Sequence, residues 1–299
     1  MESFKPSFEA EENINKSSFS KYLDGVNENL ISGRLAEKNG EESFKKYYVE
    51  KLERELSEDP ELEALYDTCI KGENIELLRK KSERQLQELE NVYVDNPSLF
   101  ELGNFVERQN KLMDFIRAID KFSVVLSTTE SDRKEFTAPR QRGESKSFGF
   151  QDAIIHADKY VYASFAEIPH YMTGPLDSHH TKLNMDKETQ LRSHMVFQDY
   201  ANIIARSENH PTREYLNNMF DYDTGKRILA TYLASVFDSV DEAVEFIKRN
   251  NDPYHAQRWD EALQDENIKA RMQKIKEKTG IEPPLSFEIK IPNNAYAVE

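Results

Sequence analysis

The chain is short of cysteine, of net positive charge and of long apolar runs. Cys69 is the single cysteine among 299 residues, so no intrachain disulfide can form, and the usage fits a reducing compartment. Its helical surroundings mark Cys69 as a small buried apolar residue. The formal net charge is -15, which argues against sequence-independent binding to nucleic acid or to an anionic membrane, both driven by Lys and Arg. No window approaches the ~20 apolar residues of a membrane span. The opening residues MESFKPSFEAEENINK have no apolar stretch after a basic start, so no Sec-type signal is expected. The expectation is a soluble protein of a reducing cytosol, or an effector delivered to one without a cleaved apolar signal.

Familiar chemical motifs are also missing. His179-His180 has no HExxH context and no cysteine partner, and reads as a solvated loop pair rather than a metal site. Asp223-Thr224-Gly225-Lys226 contains a Gly-Lys but lacks the upstream glycine and the strand of a phosphate loop. GxGxxG and GxSxG are absent.

What is present is aromatic bulk, 17 Phe and 14 Tyr against 32% charged residues, enough for a real core in a polar chain. Most of the acidity lies before residue 120, in a helical texture. After a loose tail (1–16), helices are expected from Ser17-Ser18 to Ala36 and from Glu41 to Leu56. Ser57 should cap a helix opening at Glu58-Asp59-Pro60-Glu61 and stopping at Gly72. Two more are expected over Glu73–Val92 and from Asn96-Pro97 through Ile116. Short connections suggest a bundle or antiparallel hairpins. Charge runs such as Arg79-Lys80-Lys81 read as solvated faces. The acidic region 1–120 would suit a basic partner.

The texture changes at Lys121. FSVVLSTT (122–129) is β-branched and too short for a helix. A basic loop follows (131–149), then the densest aromatic stretch, Phe148–Gly174. Gln151–Ala157 suggests a short helix. Tyr160–Phe165 should be a strand with Tyr160, Tyr162 and Ser164 on one face and Val161, Ala163 and Phe165 on the other. His170–Asn184 reads as a loop. Helices return over Lys187–Arg206, Pro211–Met219, Ile228–Phe237 after Asp223 or Thr224, Val240–Lys248 with a Ser239/Glu242 capping box, Pro253–Leu263, and Asn267–Lys278 ending at Gly280. The alternation of 285–292 between prolines predicts a late strand that sets Ser286, Glu288 and Lys290 on one face.

The expected fold is therefore α+β and predominantly helical: an acidic helical region (1–120), then a small split-sheet unit (121–299) with a large helical insertion (186–280). This order of a first strand, the aromatic strand KYVYASF and the late strand FEIKIP resembles the mono-ADP-ribosyltransferase fold of bacterial toxins and effectors. With its helical front and insertion it looks like the arginine ADP-riboxanase branch. The resemblance implies NAD as substrate, gripped by a split sheet, and a protein as acceptor. It implies Glu288 as the acid that stabilises an oxocarbenium-like state, and Asp158 or His156 as a base or acceptor-orienting group. It further implies Thr128, Arg133, Tyr162, Ser164 and Phe165 as contacts to the dinucleotide. The sequence departs from the family in three places. The first strand has no Arg or His, Ser164 stands alone where a Ser-Thr-Ser is usual, and Ser286 precedes Glu288 where Glu or Gln is common. A second reading is a non-enzymatic, mostly helical interaction or inhibitor protein whose acidic faces bind a basic partner. A third is a hydrolase or lyase.

Overall fold

The computed structural model describes residues 53–69, 75–95, 105–128, 160–168, 179–197, 211–250, 265–284, 288–292 and 297–298. The fold is α+β and predominantly helical. Its first two labelled helices are α1 (Pro60–Cys69) and α2 (Ile75–Asp95), and α3 (Phe105–Ile119) leads into β1 (Val124–Thr128). β2 (Tyr160–Phe165) and β3 (His179–Asn184) follow, then α4 (Lys187–Arg192), β4 (His194–Val196), α5 (Pro211–Asn217) and β5 (Met219–Asp221). The chain continues through α6 (Tyr222–Val236), α7 (Val240–Asn250), α8 (Glu266–Thr279), β6 (Glu288–Pro292) and β7 (Ala297–Val298). Residues 53–58 are also helical.

Local chemistry explains the helix ends. The Asp59 carboxylate accepts from the backbone N–H of Glu61 and Leu62 at 3.0 and 3.1 Å and so caps α1. Ser57, expected in that role, instead donates to the Arg54 carbonyl. Asp221, rather than Asp223 or Thr224, caps α6 by accepting from Thr224 N–H. The Ser239 hydroxyl accepts from Glu242 N–H, and the Glu242 carboxylate accepts from Asp238 N–H, much as a capping box requires. Gly280 ends α8 at φ 68°, where its N–H donates to the Lys276 carbonyl, a left-handed cap that glycine fills without steric cost.

The seven strands form one sheet in the order β5-β4-β6-β2-β1-β3-β7, every pairing antiparallel. One face carries Val124, Ala163, Phe165, Met195, Phe220, Ile289 and Ile291 into the main core. There α6 is buried along almost its whole length, with α2, α3, α7 and α8 around it, so the helices before residue 120 and the sheet share one interior. A helix buried all round must be apolar all round, and Ile228–Val236 is, apart from Thr231, Tyr232 and Ser235. Ser235 satisfies its hydroxyl on the Thr231 carbonyl. The other face of the sheet packs Tyr162, Val196 and Met219 against α1, α5 and the start of α2.

Three expectations change. His179-His180 lies at the start of β3, not in a loop. The helix read over Lys187–Arg206 ends at Arg192, because Ser193 turns extended and returns its hydroxyl to the Thr189 carbonyl. His194–Val196 is then taken up as a strand between β5 and β6, and Met219 likewise leaves its helix for β5. The expected helices 17–36, Gln151–Ala157 and Pro253–Leu263 lie outside the described residues.

Candidate functional site

The three strands singled out in the sequence lie side by side at the centre of the sheet, as β6-β2-β1. Tyr162 pairs with Lys290, Ala163 with Ile289, and Ser164 with Val125. Ile289 and Ile291 point into the main core, so alternation sends Glu288 and Lys290 to the opposite face. Tyr162 and Ser164 share that face with them. The polar side chains of the aromatic strand and the isolated acid, more than a hundred residues apart in sequence, are thus neighbours. Glu288 and Tyr162 are half-buried, and Ser164 is fully buried. The Ser164 hydroxyl has no hydrogen-bond partner among the described residues.

Beside this pair lies a row that the sequence reading did not assemble. Asp221, His194, Lys290 and Tyr162 are successive register partners across β5, β4, β6 and β2. Lys290 is 1% exposed. Its Nζ donates to the Tyr215 hydroxyl and sits 5.2 Å from the Tyr162 ring centre and 4.9 Å from that of Tyr215. A desolvated ammonium between two aromatic faces is a cation–π arrangement of the stronger kind. His194, 3% exposed, meets the edge of Tyr160 at 4.8 Å. Burial first, and the Lys290 charge second, hold its imidazole well below the usual 6.5, so it is neutral at pH 7. His194 Nε2 and Asp221 Oδ2 are buried without hydrogen-bond partners among the described residues.

The cluster joins a half-buried carboxylate, a buried hydroxyl, a phenol and a fixed cation on a rigid central sheet. Of these only the half-buried Glu288 and Tyr162 keep exposed surface, and a carboxylate there can accept from a sugar hydroxyl and stabilise a positive charge beside it. Phe165 is no part of it. Its ring is on the other face, fully buried against Phe122 at 5.7 Å, and serves the core. Thr128 ends β1 in register with His179. Arg133, His156 and Asp158 lie outside the described residues. Among the described residues no group of three His, Cys, Asp or Glu converges to hold a metal, and no helix is long and apolar enough to cross a membrane.

Lys290 was legible as a face-mate of Glu288. His194 was hidden in an expected helix, and Tyr215 carried no signal beyond its place in one. Comparison with known proteins finds no matching family model, curated protein or solved structure.

Proposed function

We propose that the protein cleaves NAD at the nicotinamide–ribose bond and passes the ADP-ribosyl group to a protein, in the manner of a toxin or effector. One observation carries the reading. The first, middle and late strands that the resemblance requires are contiguous, and Glu288, Ser164 and Tyr162 share one face of them.

In the proposed reaction the C–N glycosidic bond breaks and its electron pair leaves with nicotinamide, which departs neutral. The ribosyl carbon becomes oxocarbenium-like. The Glu288 carboxylate stabilises that charge and accepts a hydrogen bond from a ribose hydroxyl. The half-buried Tyr162 ring forms a wall for the planar leaving group, while Ser164, fully buried on the same face, lies beneath the site rather than against the sugar. A nucleophilic side chain of the acceptor protein then bonds to the ribosyl carbon and releases its proton. The acidic region before residue 120 would favour a basic acceptor or partner.

Nicotinamide release from NAD, with and without a eukaryotic lysate, tests the proposal. Release is expected, together with a rise in melting temperature on adding NAD. Glu288→Gln should reduce release by 100-fold or more, on the order of the loss of one preorganised charge interaction, with the melting temperature nearly unchanged. No release and no thermal response to NAD would remove the reading in favour of a non-enzymatic interaction protein.

A further inference from the structure

We propose that Lys290 is a positioning residue for Tyr162: its ammonium, anchored by Tyr215, lies over one face of the Tyr162 ring and fixes the ring so that the opposite face serves as the wall for a planar ligand. Only the use made of that face rests on the functional reading above. The contact between cation and ring does not.

A wall for a flat leaving group is useful only if its plane is held, because stacking and near-attack geometry both depend on orientation. A half-buried tyrosine on a strand has several staggered side-chain positions open to it. Tyr162 and Lys290 are register partners on β2 and β6, so their Cβ atoms stand about 4.5–5.5 Å apart on one face of the sheet. The Lys290 Nζ lies 5.2 Å from the Tyr162 ring centre, within the ~6 Å over which a cation is attracted to an aromatic face.

A lysine stem is itself flexible and orients nothing unless its end is held. Here the end is held. Nζ donates to the Tyr215 hydroxyl and lies 4.9 Å from the centre of that ring. Tyr215 is 1% exposed and sits on α5 among Leu62, Leu65 and Met219, the core on this side of the sheet. Tyr162 packs against the same cluster from its margin. The order α5, Tyr215, Lys290, Tyr162 therefore runs from a fixed interior to a ring that keeps exposed surface.

Two other lysines lie over rings, Lys81 over Phe220 at 4.9 Å and Lys226 over Tyr222 at 5.3 Å. Those rings are buried in the main core, where packing alone holds them. Tyr162 is half-buried, so it is the ring among these whose orientation needs the cation.

Three-bond couplings from the backbone nitrogen and carbonyl carbon to Tyr162 Cγ report the ring's rotamer in the full-length protein, the signals assigned by their loss in Tyr162→Leu. The unsubstituted protein should show one rotamer. Lys290→Met should show averaged couplings, and Lys290→Arg, which keeps a cation, should restore them. Tyr215→Phe removes the hydroxyl that holds the ammonium and gives the same comparison if the methionine variant does not fold. In nicotinamide release Lys290→Met should raise KM for NAD about tenfold, the size of one such contact, and should add nothing further in a Tyr162→Leu background. Unchanged couplings in Lys290→Met would overturn the inference, as would an effect on KM that persists in full without the ring. The couplings need no turnover, so absence of release from the unsubstituted protein counts against the function alone.

Discussion

His194 shows how a single buried side chain sets a pH dependence. The folded imidazole is held well below its usual 6.5 by burial and by Lys290. As pH falls through 6.5 the unfolded chain takes up a proton that the folded chain refuses, and stability drops until the folded group itself titrates. The stabilising contribution is therefore complete above that value and lost below it. Stability should thus fall between about pH 7.5 and about pH 5.5 as the unfolded imidazole takes up its proton. His194→Phe keeps the edge contact with Tyr160 and removes the titration. Urea midpoints measured at the two pH values should diverge less in that variant than in the unsubstituted protein. Gly280 is a simpler case. A Cβ there meets nothing within 4 Å, so Gly280→Ala tests backbone strain alone. The left-handed φ of 68° should cost about 1–2 kcal/mol, read as a lower melting temperature.

At the scale of elements, the β5 edge of the sheet depends on side chains rather than on another strand. An uncovered edge leaves backbone groups without partners. Here α2 supplies them. Lys81 Nζ donates to the carbonyls of Asn217 and Met219 at 3.0 and 2.7 Å, Gln85 donates to Asn217, and the Ser82 hydroxyl accepts from Asp221 N–H. Read from the sequence as part of a solvated charge run, Lys81 is buried for this reason. Lys81→Met removes the side-chain donor to the Met219 carbonyl, while Asn217 keeps Gln85, a loss of about 1–3 kcal/mol to be read from the urea midpoint. The same contrast runs through the fold. β1, β2, α7 and α8 were legible because their signals are local: β-branched runs, period-two alternation, caps and a terminal glycine. β4 and β5 were not, because three residues owe their extended form to the strands and helix beside them. The candidate site divides in the same way. Alternation alone placed Tyr162 with Ser164 and Glu288 with Lys290. Only the pairing of β2 with β6 brought the two sets together, and only β4 and α5 added His194 and Tyr215.

At the scale of the molecule, the question is whether the helices before residue 120 stand apart from the sheet. Leu86, Leu89, Val92 and Tyr93 of α2 and Leu112, Phe115 and Ile119 of α3 belong to the same core as Phe165, Phe220 and Ile289. The Tyr93 hydroxyl ties α2 to the Arg108 carbonyl of α3 at 2.7 Å, and Arg227 of α6 pairs with Glu90 of α2 at 3.1 Å. Removing residues 1–120 would uncover one side of α6 and strip the β5 edge of its donors. Neither loss can be repaired within 121–299, since the sheet already covers another side of that helix. The fragment 121–299 should therefore show no cooperative thermal transition and should bind a hydrophobic dye, while the full chain melts with its α2–α3 and sheet signals together. Phe115 is 1% exposed and lies where α3 meets this core. Phe115→Ala should lower the stability of the whole molecule by about 3–5 kcal/mol, with probes on β2 and on α2 reporting the same midpoint. Two separate midpoints would mean that the helical front folds on its own, and a partner-binding assay with residues 1–120 alone would then become meaningful.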